Sequence, residues 1–163
     1  MSEHKKIDAL INRLNSYIAN GYIESASFND PSDDALEALI LLLQLAEEQA
    51  FDIIKCLLGT SATDYSFMKS VGLNRLLLSE VEWPYAFDYL LNKVGDISSP
   101  ELEKALFYFY CAKNEKDPHP VPDGLFNKLV ARYQEVKDDP DADFYHLHEA
   151  YNNFIKAYAL ERE

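Results

Sequence analysis

Cysteine and glycine are scarce in this sequence, and no long uninterrupted apolar run occurs in it. The two cysteines, Cys56 and Cys111, have neither metal-site nor disulfide-framework spacing, so we expect buried, reduced thiols in a cytoplasmic protein. Five glycines and seven prolines leave no room for a long flexible linker, which predicts one helical domain over residues 1–163. The longest apolar run, Ala38–Ala46, is far shorter than the roughly 20 residues that span a bilayer. We therefore expect no membrane helix, and the first ten residues show no signal peptide.

The motifs of common enzyme classes are also missing. The sequence has no P-loop, no dinucleotide-binding glycine pattern, no Gly-x-Ser-x-Gly and no zinc-protease motif, which argues against an enzyme and against a bound cofactor. The aspartates that begin at Asp138 do not form a calcium loop, because the sixth position is Asp143 and not glycine. Helix capping by Asp141 or Asp143 is the alternative. If a helix begins at Asp143, His146 and His148 point about 200° apart, so no shared metal site is expected.

Basic residues are absent from two long stretches. No lysine or arginine lies between Arg13 and Lys55, where there are eight acids, and none lies between Lys137 and Lys156, where there are five. These thirteen acids account for the whole net charge of −13. Such segments repel nucleic acid and attract a basic protein surface. The alternative is that the acids only keep the protein soluble.

Apolar residues recur at helical spacing along the whole chain. The first predicted helix ends at Asn20 and Gly21, a C-terminal stop signal. The second has Asp30 as its N-cap and Pro31 at its first position. It extends to Leu58, and its middle is apolar on all sides, which predicts a covered position.

Five more helices are predicted after the second. The third contains Phe67–Leu77, the fourth lies between Trp83 and Gly95, the fifth starts at Ser99–Glu101 and becomes apolar on all sides, the sixth covers Leu125–Val136, and the seventh carries Phe144, Leu147, His148, Tyr151, Ile155 and Tyr158 on one face. No stretch alternates apolar and polar residues as a strand does. The prediction is an all-α fold of about seven antiparallel helices, either a compact bundle or a short HEAT-like α-solenoid.

Aromatic residues beside carboxylates at loop edges are the candidates for docking. The ring supplies contact area and the acid supplies direction. The candidates around such rings are Tyr22, Glu80, Glu82, Trp83, Tyr85 and Tyr145. The acidic candidates are Asp30, Asp33, Asp34, Glu47, Glu48, Asp138, Asp139, Asp141 and Asp143. We predict a partner-binding role for all of these residues except Tyr22. We predict no catalytic, cofactor-binding or metal-binding residue.

The acidic, all-helical plan resembles the immunity proteins of bacterial polymorphic toxin systems, including those of contact-dependent growth inhibition. The stretch LLLSEVEWPYAFDYLLNKV, at 76–94, is similar to the helical hairpins of their HEAT-like members. The resemblance implies a cytoplasmic protein that binds a cognate toxin and blocks its active site. Many such toxins are nucleases, whose clefts must be basic to hold phosphate. The alternatives are a helical-repeat adaptor that binds a basic peptide or regulatory protein and, third, an enzyme with an acid-lined pocket.

Overall fold

Helices account for all the regular secondary structure in the computed structural model, which describes residues 2–21, 30–60, 65–113, 115 and 119–159. The helices are α1 (Glu3–Asn20), α2 (Pro31–Leu45), α3 (Glu47–Leu58), α4 (Ser66–Leu78), α5 (Trp83–Lys93), a 3-10 turn (Val94–Asp96), α6 (Ser99–Ala112), α7 (Leu125–Val136), α8 (Pro140–Phe144) and α9 (Leu147–Ala159). The predicted all-α class is confirmed. None of these helices is long and apolar enough to cross a membrane.

Two compact units, Met1–Gly72 and Leu73–Glu163, make up the chain. Their boundary lies inside α4, where the sequence has no linker composition. The single domain over 1–163 stays a prediction.

In the first unit, α1 packs against α2 and α3, and these three helices carry the almost completely buried side chains of Leu14, Leu39 and Ile54. Helix α1 ends as predicted at Gly21, whose positive φ of 81° lets its N–H bond to the Tyr17 carbonyl at 2.7 Å. The Tyr65 hydroxyl, from the start of α4, lies within hydrogen-bonding distance of the carbonyls of Tyr17 at 3.1 Å and Ile18 at 2.9 Å. A side chain distant in sequence therefore satisfies the last turn of α1.

The second predicted helix is two helices. Ala46 has a non-helical backbone, with φ −155° and ψ 74°, so α2 stops at Leu45 and α3 starts at Glu47. Asp30 caps α2 and Pro31 opens it, as predicted. The prediction that the middle of this segment is covered on all sides is wrong, because Ile40, Leu41 and Leu45 are exposed.

Glycine at position 72 allows α4 to approach α3. A Cβ built on Gly72 would lie 2.8 Å from Cγ2 of Ile54, which is closer than real Cβ contacts. The buried Ile54 side chain occupies the space that any larger residue at 72 would need. The glycine is therefore a packing requirement of the first unit.

In the second unit, α6 packs mainly against α9, with Phe109 and Phe154 fully buried. The Tyr158 hydroxyl donates to the Phe109 carbonyl at 2.9 Å and ties the two helices together. The all-round apolar stretch of α6 predicted a central, covered position, and that prediction is wrong at Phe107, which is half exposed. The predicted burial of the cysteines is also wrong at Cys56, which is exposed; Cys111 is partly covered, and both are free thiols. Burial, and then Glu115, raise the pKa of the Cys111 thiol, so it stays protonated at neutral pH.

A buried carboxylate joins α5 to the start of α6. Glu101, only 3% exposed, forms a capping box with Ser98, and its Oε1 accepts from the Ser98 N–H at 3.2 Å and the Ser98 hydroxyl at 2.9 Å. Its Oε2 accepts from the Tyr89 hydroxyl on α5 at 2.5 Å. Burial, and then the Glu101 charge, raise the pKa of Tyr89, so the phenol remains a donor across the ordinary pH range.

Candidate functional site

The helix α8 is built to present its acids outwards. Pro140 occupies its first turn after an extended Asp139, and Ala142 is completely buried. Asp141 and Asp143 therefore lie inside the helix on its exposed side, and the predicted capping role for them is wrong. Asp139 occupies the N-cap position, although its side chain makes no capping hydrogen bond.

Four exposed carboxylates and two rings lie on this short helix or directly beside its ends. Asp138, Asp139, Asp141 and Asp143 are all exposed. Phe144, which the periodicity placed on a buried face, is 74% exposed, so that prediction is wrong. Its ring contacts the ring of Tyr145 edge to face at 4.8 Å. We call this group the α8 surface: Asp138, Asp139, Asp141, Asp143, Phe144 and Tyr145.

One ion-pair contact and one hydrogen bond link the α8 surface to α9 and α7. The Asp143 carboxylate lies 3.2 Å from Nε2 of His148, and Nδ1 of His148 lies 2.6 Å from the Tyr133 hydroxyl. The Tyr133 hydroxyl and Nδ1 of His148 share this hydrogen bond, and the tautomer of the ring decides which of the two donates. Tyr133 is buried, and its ring stacks on that of Tyr151 with 3.7 Å between the ring centroids. Burial, then Tyr151, then Asp138 raise the pKa of Tyr133, which keeps its hydroxyl protonated.

The two histidines of this segment have separate places. His146 has a left-handed backbone, with φ 58°, and lies between α8 and α9, so the prediction that one helix continues from Asp143 is wrong. His148 lies on α9, is partly covered and is hydrogen-bonded to Tyr133. Across the part of the chain that the structure describes, no three His, Cys, Asp or Glu side chains converge to hold a metal ion.

The turn between α4 and α5 exposes a second acidic and apolar group. The Ser79 hydroxyl accepts from the N–H groups of Val81 at 3.2 Å and Glu82 at 3.0 Å and so holds the turn. Val81 is 79% exposed beside the exposed Glu80. Val81 lies between Glu80 and Glu82, which were predicted candidates, but it was not itself predicted. Its position in a loop directly before a Trp-Pro pair could have indicated that its side chain is exposed.

The rings predicted near this turn have different environments. Trp83 is only partly exposed, because its ring packs against the rings of Phe87 and His119. The centroid distances are 5.1 Å and 3.9 Å. Tyr85 is exposed. The contact with His119 was missed, since 36 residues separate the two rings in sequence and no local pattern links them. Trp83 therefore also contributes to packing, whereas Tyr85 is accessible.

The acidic candidates of the first unit are spread along α2 and α3. Asp33, Glu47 and Glu48 are exposed in first helical turns, where the helix dipole favours them, and Asp30 is engaged as a cap. Asp34 is only 5% exposed, so we leave it out of any docking surface. Tyr22 lies outside the described residues.

The chemistry offered by the α8 surface is that of recognition. It presents hydrogen-bond acceptors with negative charge, one exposed apolar ring, and the Tyr145 phenol, whose pKa is raised by burial and then by Asp141 so that it stays a donor. Lysine and arginine side chains are the natural complement of such a surface. No protein-family model matches this chain, and no curated protein matches its sequence.

Proposed function

We propose that this chain is a non-enzymatic, cytoplasmic binding protein that neutralises a basic partner protein, in the manner of an immunity protein that blocks its cognate toxin. The observation that carries the proposal is the α8 surface, where four exposed aspartates adjoin a phenylalanine that is 74% exposed. The exposed ring beside the aspartates adds apolar contact area, which a purely solubilising group of charges does not supply.

Charge and ring play different parts in the proposed complex. The aspartates steer a basic partner during the encounter, and this effect weakens with salt. Phe144 enters an apolar pocket of the partner, and full burial of such a side chain contributes about 1.5–3 kcal/mol. Arginine or lysine of the partner pairs with the carboxylates at the rim.

The backbone that carries the aspartates is packed against the rest of the second unit. Ala142 of α8 is completely buried, and His148, which lies 3.2 Å from the Asp143 carboxylate, bonds to the buried Tyr133. Because α8 is already packed in place, less backbone entropy is lost when the partner binds.

A nuclease is the partner that fits this chemistry best. A nuclease cleft is basic because it must hold phosphates, and an acidic surface that occupies the cleft excludes the nucleic acid. The partner to test is the product of the gene adjacent to the one that encodes this chain. A neighbouring gene for a non-toxic protein would favour the adaptor alternative.

The first experiment replaces the four aspartates with asparagine. We expect the variant D138N/D139N/D141N/D143N to fold, since asparagine keeps the size and an acceptor oxygen of each side chain. Association with the partner should slow about tenfold at low salt and depend less on salt. Stopped-flow kinetics at two salt concentrations measures both quantities.

A matched control removes four exposed acids of the first unit that are not docking candidates: E3Q/D8N/E37Q/D52N. The net charge changes equally in both variants, so equal slowing would show that only total charge matters and would contradict the α8 assignment. A second variant, Phe144→Ala, should leave association unchanged and speed dissociation about tenfold. Unchanged dissociation would remove the ring from the interface.

A further inference from the structure

An apolar groove runs between α1 and α2 in the first unit. Its residues are distant in sequence from those of the α8 surface. The groove has a volume of about 440 Å³. Ala9 and Leu10 of α1 and Leu41 and Leu45 of α2 supply its apolar lining. Leu41 and Leu45 are among the large apolar side chains that remain exposed. The volume lies in the range of about 300–1,000 Å³ that small-molecule sites occupy.

Two cations flank this apolar lining. Lys6 and Arg13 line the groove on α1, separated by two helical turns, or about 10 Å along the axis. Neither side chain forms an ion pair with another residue of the described ranges. The groove thus combines a short apolar trough with unneutralised positive charge, in a chain whose net charge is −13.

We infer that this groove binds a free single-chain carboxylate amphiphile, with its apolar chain against Leu41 and Leu45 and its carboxylate on Arg13. The planar guanidinium matches a carboxylate through two parallel hydrogen bonds, and Lys6 adds positive potential. The inference is independent of the proposed function, because the groove and the α8 surface belong to different units.

The charge of the protein selects among the possible occupants. A second copy of the chain would bring another net charge of −13 to the groove, and a multiply acidic helix or an anionic membrane would be repelled in the same way. A ligand with one negative charge incurs the least repulsion while still using Arg13. The length of the lining, two helical turns, also suits a short acyl chain better than an extended partner surface.

Octanoate is the probe, and octyl glucoside, with the same chain and a neutral head, is its matched control. We expect octanoate, titrated into the full chain below its micelle-forming concentration, to shift the amide signals of Ala9, Leu41 and Leu45 in a saturable manner. Arg13→Gln removes both charge-assisted hydrogen bonds, so it should weaken octanoate at least tenfold and leave octyl glucoside unaffected. Lys5→Gln, an exposed lysine of α1 outside the groove, should leave both ligands unaffected.

Several results would overturn the inference. These are an absence of saturable shifts in the groove, equal affinity for octanoate and octyl glucoside, or equal effects of Arg13→Gln and Lys5→Gln. Sedimentation of the protein with anionic vesicles would assign the groove to a membrane surface instead. Leu41→Gln changes an exposed wall residue and tests the apolar lining separately; unchanged octanoate affinity would contradict the site. The four-aspartate variant should bind octanoate as the unmodified chain does, which separates this test from that of the proposed function.

Discussion

The bond between Tyr89 and Glu101 permits the sharpest test of the second unit. Tyr89→Phe removes one hydroxyl and leaves the ring in place. The Glu101 carboxylate then retains its two bonds to Ser98 through Oε1, but Oε2 loses the donor at 2.5 Å while it stays buried. A hydrogen bond to a charged group contributes about 1.5–3 kcal/mol, so we expect the free energy of unfolding to fall by about 2 kcal/mol.

Urea denaturation followed by tryptophan fluorescence measures this change locally. The single tryptophan, Trp83, lies on α5 together with Tyr89, so its signal reports the unit in question. Tyr110→Phe is the matched control, because the Tyr110 hydroxyl makes no hydrogen bond to another described residue. A loss below about 0.5 kcal/mol for Tyr89→Phe, or an equal loss for the control, would refute the reasoning.

The Tyr89→Phe variant also tests how the free energy of unfolding depends on pH in the alkaline range. Burial and Glu101 raise the pKa of Tyr89 in the folded state above the value of about 10 that an unfolded tyrosine has. A raised pKa stabilises the fold at pH values below about 10, and this stability is lost as the pH rises further. The difference in unfolding free energy between the unmodified chain and Tyr89→Phe should therefore be constant near neutrality and shrink above about pH 10. A difference that grows with pH would contradict this sign.

Three further predictions concern packing, metals and secondary structure. Gly72→Ala should destabilise the first unit by about 1–3 kcal/mol in thermal or urea unfolding, because its Cβ would lie 2.8 Å from Ile54; Gly95→Ala, where a Cβ would meet nothing within 4 Å, is the control. Neither zinc nor calcium at low millimolar concentration should raise the melting temperature, since a ligand that binds only the folded state must stabilise it; an upward shift would reveal a site that the described residues do not show. Circular dichroism should show a predominantly helical protein, and a strong sheet component would contradict the fold.

Helix type and most boundaries were predictable because they depend on local chemistry. Asp30 with Pro31, and Gly21 after α1, are start and stop signals that act within one turn. The break at Ala46 was not predictable in this way, since alanine, leucine and glutamate all favour helix. Its non-helical backbone interrupts the run Leu41–Glu48, which consists only of leucine, glutamine, alanine and glutamate, all good helix formers. Propensity therefore does not explain this boundary.

The negative charge of the candidate surface was predictable from the sequence, but the exposure of its individual side chains was not. Acids in base-free stretches were expected to be exposed, and the four aspartates of the α8 surface are. Asp34 is buried, although nothing distinguishes it by sequence from Asp33. Phe144 follows the helical period of α9, but the left-handed residue His146 interrupts that helix and turns the ring outwards. Periodicity predicts a shared face only while the backbone remains helical.

The contact of Tyr65 with the end of α1 has a consequence for the motions of the first unit. The last turn of an isolated helix frays, because its carbonyls lack partners. Here the carbonyls of Tyr17 and Ile18 have the Tyr65 hydroxyl as an additional partner, so this turn depends on a residue that lies 47 or more positions further along the chain. Amide hydrogen exchange in the last turn of α1 should then require opening of the contact between α1 and the start of α4. In Tyr65→Phe the same amides should exchange by local fraying, while those in the middle of α3 keep their protection.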